Sequence, residues 1–219
     1  MGGWNFCAYI IGPPEYGKTT IAKALVQRHL ADPDGVVFVH DPVAQFSEQG
    51  CAYYANADAW RDAARAAAAA EPPTPLPRGS SLGGDAEQVT ALAMELGRKV
   101  GNRENAVRRK FLVVYDEASL RTDSGATYMG KMDNEVLATR RHLGVGLVNN
   151  LQDPTQLMSR WLRMGTDFYL FVQTSRYAAV LDEALYLEKG TLEKAGVTRL
   201  GQYQYLHVRM RVGVVGEAL

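Results

Sequence analysis

The stretch GPPEYGKTT, residues 12–20, constrains this chain more than any other feature because of what stands on either side of it. An apolar run at residues 6–11 precedes it. After it, TTIAKALVQRHL places Ile21, Leu25 and Val26 on one helical face. Gly12, Gly17, Lys18 and Thr19 fit the spacing G-x-x-x-x-G-K-[ST]. A strand, a glycine loop and a helix in that order aim backbone N–H groups and the positive end of a helix at one point. That arrangement binds phosphate.

Each residue of the loop then has a physical task. Gly12 and Gly17 let the backbone approach phosphate oxygens, Lys18 neutralises charge on the β- and γ-phosphates, and the Thr19 hydroxyl ligates Mg²⁺. Pro13 and Pro14 stiffen the turn, and Glu15, Tyr16 and Thr20 complete the cradle. A second element, FLVVYDE, is an apolar strand ending in two carboxylates, Asp116 and Glu117. At such a tip Asp116 would hold the Mg²⁺ of ATP, and Glu117 would orient and polarise the attacking water. A carboxylate beside the metal residue suits hydrolysis better than transfer to a small acceptor, so the chain reads as an NTP hydrolase.

The rest of the chain supports an α/β fold with a mainly parallel central sheet flanked by helices. Strand-length apolar runs at 6–11, 36–40, 111–115, 146–150 and 167–172 lack clear alternation, as strands covered on both faces do. Between them lie helical patterns at 18–30, 58–70, 85–100, 134–143 and 155–163. At 219 residues the chain is read as a single domain, with a surface excursion at 53–77 where an alanine-rich helix runs into AEPPTPLP. The C-terminal QYQYLHVRMRVG alternates like an edge strand.

Lys+Arg and Asp+Glu both total 24, so any contact with nucleic acid must come from local patches rather than a global basic field. Cys7 and Cys51 form no metal-binding spacing, and a reducing setting fits them. No apolar run is long enough to span a bilayer, and the N-terminus lacks the pattern of an export signal. The expectation is a soluble, unexported protein.

Downstream of the carboxylates stands TRRHLGVGLVNNLQDPTQLMSRWLRMGTDFYLF, residues 139–171. In order, this holds Arg140-Arg141, Gly144, a strand, Gln152, a helix and another strand. The series resembles the FtsK/HerA branch of P-loop motor ATPases. The resemblance implies that Gln152 senses the γ-phosphate and that Arg141, or its neighbour Arg140, enters the adjacent subunit's site to stabilise transition-state charge. An arginine acting in trans requires a homo-oligomeric ring, typically a hexamer in this branch. Simpler roles exist for the same residues: a basic pair suits a helix C-terminus, and Gln152 could cap the Asp153-Pro154 turn.

Within the branch, a short chain without an evident membrane region or appended DNA-reading domain resembles the genome-packaging ATPases of membrane-containing, tailless icosahedral viruses. The resemblance implies translocation of double-stranded DNA into a preformed capsid, with capsid vertex proteins as partners. The corresponding location is the host cytoplasm or the packaging vertex of the virion. Arg121, Tyr128 and Lys131, just past the second carboxylate, are the candidate DNA contacts, which would grip phosphates from a channel without reading sequence. The denser basic run, Arg98 to Lys110, has two readings, a second contact surface for DNA or, the one favoured, a helix end and solubilising loop. Two other readings stay open: an assembly or secretion ATPase acting on protein, and a nucleotide-dependent switch or kinase.

Overall fold

The computed structural model describes residues 6–101, 110–116, 131–156, 159–210 and 214–215. In chain order the elements are β1 (Cys7–Ile11), α1 (Lys18–Ala31), β2 (Gly35–His40), β3 (Cys51–Tyr54), α2 (Ala57–Ala69), β4 (Gly79–Leu82), α3 (Ala86–Gly101), β5 (Lys110–Tyr115) and α4 (Lys131–Leu143). There follow β6 (Val145–Leu151), α5 (Ser159–Arg163), β7 (Asp167–Leu170), α6 (Ser175–Ala184), α7 (Thr191–Lys194), β8 (Leu206–Arg209) and β9 (Val214–Val215). The strands are hydrogen-bonded in the order β3-β4-β2-β5-β6-β1-β7-β8-β9. β2 runs parallel to β4 and β5, β3 to β4, and β1 to β7, whereas β8 is antiparallel to β7 and β9 to β8. The architecture is the mainly parallel α/β arrangement that the apolar runs predict.

By compactness the chain divides into two units. One contains Lys23–Asp116 and Lys131–Leu147, the other Phe6–Ala22 and Val148–Leu219. In the first, β2 and β5 carry the core: Val37, Phe38, Val39 and Leu112 to Tyr115 are buried, and the rings of Phe38 and Phe111 stack at 6.4 Å. Helix α3 lies against both strands and buries Val89, Leu92, Ala93 and Met94, a helical stripe. Its Thr90 hydroxyl, also fully buried, hydrogen-bonds the Tyr115 phenol.

The short strands β3 and β4 were not legible in the sequence, because CAYY and GSSL are too short and, in the second case, too polar to register. Partners distant in sequence hold them. Ser80 accepts from Trp60 Nε1 at 3.0 Å, and Ser81 donates to Asp41 Oδ2 at 2.7 Å. The segment 53–77 is therefore more than a surface excursion: Asn56 caps α2 by accepting from Ala59 N at 2.9 Å, and Trp60 packs edge-on against Phe38. The proline-rich stretch after α2 does lie at the surface, with residues 71–75 exposed.

In the second unit β1 is buried along its whole length. Tyr9 stacks on Phe168 at 5.3 Å and donates its phenol proton to the Trp161 carbonyl at 2.7 Å, which satisfies a polar tip inside the core. Buried Asp182 of α6 accepts from Gly190 N at 2.7 Å and Leu192 N at 3.1 Å, tying α7 to α6. The helix expected at 155–163 is instead a 3-10 turn, Pro154–Gln156, followed by α5. Asp153 imposes that start, since its Oδ1 accepts from both the amide and the hydroxyl of Thr155 at 2.7 Å. The expected C-terminal edge strand is β8, and β9 covers its outer side.

Candidate functional site

The loop at residues 12–20 leaves β1 through Gly12, whose N–H donates to the Leu151 carbonyl at 3.1 Å. On its other side Phe171 N donates to the Ile11 carbonyl at 2.9 Å, and the buried Gln173 amide reaches the same oxygen at 3.1 Å. The root of the loop is thus clamped from two sides within one unit. Gly12 is required there for space, since a Cβ would stand 2.5 Å from Phe171 Cβ. Glu15 and Gly17 adopt left-handed backbone, with φ of 64° and 99°, which turns the chain back into α1.

The first hydrogen bond within α1 runs from Ile21 N to the Gly17 carbonyl at 3.2 Å. The amides of Lys18, Thr19 and Thr20 therefore precede the helix's own ladder and face out of its N-terminus, the geometry that receives an anion. Lys18 Nζ donates to the carbonyls of Gly12, 2.8 Å away, and Pro13, 2.6 Å away. Its ammonium is folded over the loop that the sequence expects it to serve.

Leu151 is the last residue of β6, so the hydrogen bond from Gly12 places Gln152 directly beside the loop root, with its side chain exposed. The turn that follows is capped by Asp153 itself, not by Gln152. Burial pushes the Asp153 carboxyl up, but hydrogen bonds from Tyr177, at 2.5 Å, and Thr155 outweigh it and hold the group below its usual range.

Asp116 follows β5 in the other unit, 9% exposed, and accepts a hydrogen bond from the Gln45 side chain. Sequence reasoning missed Gln45. It gave no role to Asp41 either, which lies next to Asp116 because β2 and β5 pair in register, His40 beside Tyr115. Asp41 is fully buried, and its Oδ2 accepts from Phe46 N at 3.1 Å and Ser81 Oγ at 2.7 Å. One signal was available: a charged residue ending an apolar strand. Cys51 feels the same carboxylate. Burial, and then the charge of Asp41, push its thiol up to about 11, so it stays protonated and inert.

Arg140 and Arg141 fall in α4. Arg140 is 1% exposed, so it does not project from the subunit as the expectation for this pair requires. Its helix buries it together with Val136, four residues earlier, and that face of α4 turns inward. Lys131 is the first residue of α4 rather than part of a loop. Glu117, Arg121 and Tyr128 lie outside the described residues. In the basic run, Arg98 pairs with Glu135, Lys99 with Glu95 at 2.6 Å and Lys110 with Asp32 at 2.6 Å. Those three charges are locally balanced, as a solvated helix end would have them. Arg103, Arg108 and Arg109 lie outside the described residues.

Strand order, parallel pairing and the strand-loop-helix at residues 12–20 together define the P-loop NTPase fold. The structure is similar, at TM-score 0.70 and 14% identity, to the genome packaging NTPase B204 from Sulfolobus turreted icosahedral virus 2 in complex with AMPPCP, over 97% of this chain and 96% of that one. The same NTPase is also similar in its complexes with AMP and ATP-gammaS. B204, the DNA-packaging ATPase from Sulfolobus Turreted Icosahedral Virus, matches at TM-score 0.68 and 17% identity, over 99% of this chain and 97% of that one. VirB4 of Thermoanaerobacter pseudethanolicus matches at TM-score 0.60 and 12% identity, over 97% and 89% of the two chains. No protein-family model matches the chain, and neither does any curated protein. At these identities the likeness is one of fold.

Proposed function

We propose that this chain is an ATP-hydrolysing motor that translocates double-stranded DNA, packaging a viral genome into a preformed capsid. The observation that carries the reading is the likeness in fold, over nearly the whole of both chains, to an NTPase that packages genomes. The ordered residues of the sequence give that likeness chemical content.

In this reading the amides and glycines of residues 12–20 wrap the triphosphate, and Lys18 leaves the carbonyls of Gly12 and Pro13 for the β- and γ-phosphates. No cluster of three or more metal-binding side chains exists among the described residues. Magnesium needs none, since it keeps several waters and takes its remaining ligands from phosphate and one or two hard protein oxygens. The Thr19 hydroxyl and the Asp116 carboxylate are of that type. A magnesium ion held by such groups would neutralise charge building on the transferred phosphoryl group. Glu117 orients the water, and Gln152, beside the loop root, responds to the γ-phosphate.

With Arg140 enclosed, the arginine acting in trans is Arg141, which makes the working form a homo-oligomeric ring, a hexamer. Arg121, Tyr128 and Lys131 line its channel and touch phosphates rather than bases. The assembly works in the host cytoplasm or at the packaging vertex, against vertex proteins of the capsid. No helix among the described residues is long and apolar enough to cross a membrane.

The test is steady-state ATP hydrolysis with and without duplex DNA, using wild type, Lys18→Ala, Arg141→Ala and a mixture of the two variants. DNA should stimulate wild type, each variant should be inactive alone, and the mixture should recover activity, because one subunit supplies the phosphate loop and the other the arginine. Hydrolysis indifferent to DNA in a protein that stays monomeric with nucleotide sinks the motor. Stimulation by an unfolded polypeptide instead of DNA would favour a motor for protein.

A further inference from the structure

Between α7 and β8 the segment GQYQY, residues 201–205, packs onto the loop at residues 12–20, within the same unit. Gln202 Nε2 donates to the Glu15 carbonyl at 3.4 Å. A turn fixes the segment, with Gln204 N donating to the Gly201 carbonyl at 3.2 Å and Gly201 N to Gln204 Oε1 at 2.8 Å. Tyr203 sits at its tip and touches the residue that precedes Lys18: a Cβ on Gly17 would lie 3.2 Å from Tyr203 Cδ1.

Two features of Tyr203 call for an explanation other than packing. Its backbone is left-handed, with φ of 64°, a conformation that a bulky aromatic residue rarely adopts. Its side chain is spent on solvent, since Tyr203 is 66% exposed and, among the described residues, makes no ring pair and no side-chain hydrogen bond. Tyr205, two residues on, behaves as a packing residue does, only partly exposed and tilted against Phe171 at 5.8 Å and Tyr169 at 5.7 Å. Phe171 in turn reaches towards Gly17, with Cε1 3.7 Å from where a Cβ would stand. An aromatic floor thus continues from the phosphate loop to an unstacked ring at its rim.

We propose that Tyr203 is the platform on which the base of the bound nucleotide stacks, an inference that rests on residues 12–20 holding its phosphates. Gln202 Nε2 and Gln204 Oε1, one half of each flanking amide, are engaged with backbone groups, which holds the turn in place while the ring presents its face to the base. Stacking of this kind tolerates every base. Adenine and guanine nucleotides therefore bind alike, and selectivity for ATP in the cell follows from its abundance.

The test is calorimetric titration of wild type, Tyr203→Ala, Tyr203→Phe and Tyr203→Gly with ATP, GTP and inorganic tripolyphosphate. Tyr203→Gly suits the left-handed backbone and guards against a merely misfolded Tyr203→Ala. Tyr203→Ala and Tyr203→Gly should each lose about tenfold in affinity for both ATP and GTP, while tripolyphosphate stays within about twofold and Tyr203→Phe resembles wild type. Equal losses for tripolyphosphate and ATP would mean that the ring only props the loop, and unchanged ATP affinity would put the base elsewhere. Either result overturns the proposal. A wild type that binds neither ATP nor tripolyphosphate overturns the phosphate site itself, and the platform with it.

Discussion

The ammonium of Lys18 lies 2.8 Å from the carbonyl oxygen of Gly12, six residues back along the same loop, and 2.6 Å from that of Pro13. The loop's own backbone thus accepts from its cation. A triphosphate must exchange neutral acceptors for charged ones, and such hydrogen bonds are about twice as strong as neutral ones.

Lys18→Ala should therefore weaken ATP binding by about 1.5–3 kcal/mol, with hydrolysis falling further. Thermal stability should change little, because the lost contacts are partly exposed. Titration calorimetry and a melting curve on the same sample check both halves.

Gly12→Ala acts on the fold before it acts on chemistry. The new methyl would stand 2.5 Å from Phe171 Cβ, an atom that has no rotamer through which to escape. Overpacking of this kind costs about 1–3 kcal/mol. Because the obstructing atom is a Cβ, Phe171→Ala should not rescue Gly12→Ala. Urea midpoints of the two single variants and the double variant decide.

Asp167 should govern the acid limb of stability. Burial pushes its carboxyl up, yet hydrogen bonds from His207, Thr166 and Arg209 prevail and hold it below the usual carboxylate range. The folded state then binds fewer protons than the unfolded one. The stabilisation is complete above the unfolded value near about pH 4, and it drains away as pH falls through that value to the lower folded one. Asp167→Asn should cost about 1–3 kcal/mol at neutral pH and flatten the loss between about pH 5 and 2. Urea unfolding at a series of pH values measures it.

Asp41 should prove structural as well as local to Asp116. Asp41→Ala would leave the Phe46 amide and the Ser81 hydroxyl without their acceptor inside the core. The expected loss is about 2–4 kcal/mol, and Asp41→Asn, which keeps one acceptor oxygen, should lose less. Chemical denaturation of the two variants distinguishes them.

Much of the site was legible because its signals are local. The glycine loop sits where strand gives way to helix, and that junction can be read from the apolar run before it and the helical stripe after it. Asp116 ends a strand whose six residues announce themselves by composition. Gln152 was expected from order alone, and the hydrogen bond from Gly12 to Leu151 gives that order a physical counterpart, since adjacent strand ends bring neighbouring loops together.

What stayed hidden depends on partners far away in sequence. A basic pair at a helix end looks solvent-facing on paper, yet packing encloses Arg140, and only the tertiary structure could show it. β4 reads as a polar loop until Trp60 and Asp41 supply hydrogen bonds to its serines. Tyr203 carries no motif, and it reaches Gly17 because the return from α7 to β8 carries it across 186 residues of sequence. Sequence by itself determined the periodicities and the loop chemistry, since covalent spacing and backbone geometry decide them within a dozen residues. Tertiary structure decided which charges are enclosed and which rings stand at the rim, because burial is set by every element that packs around a residue at once.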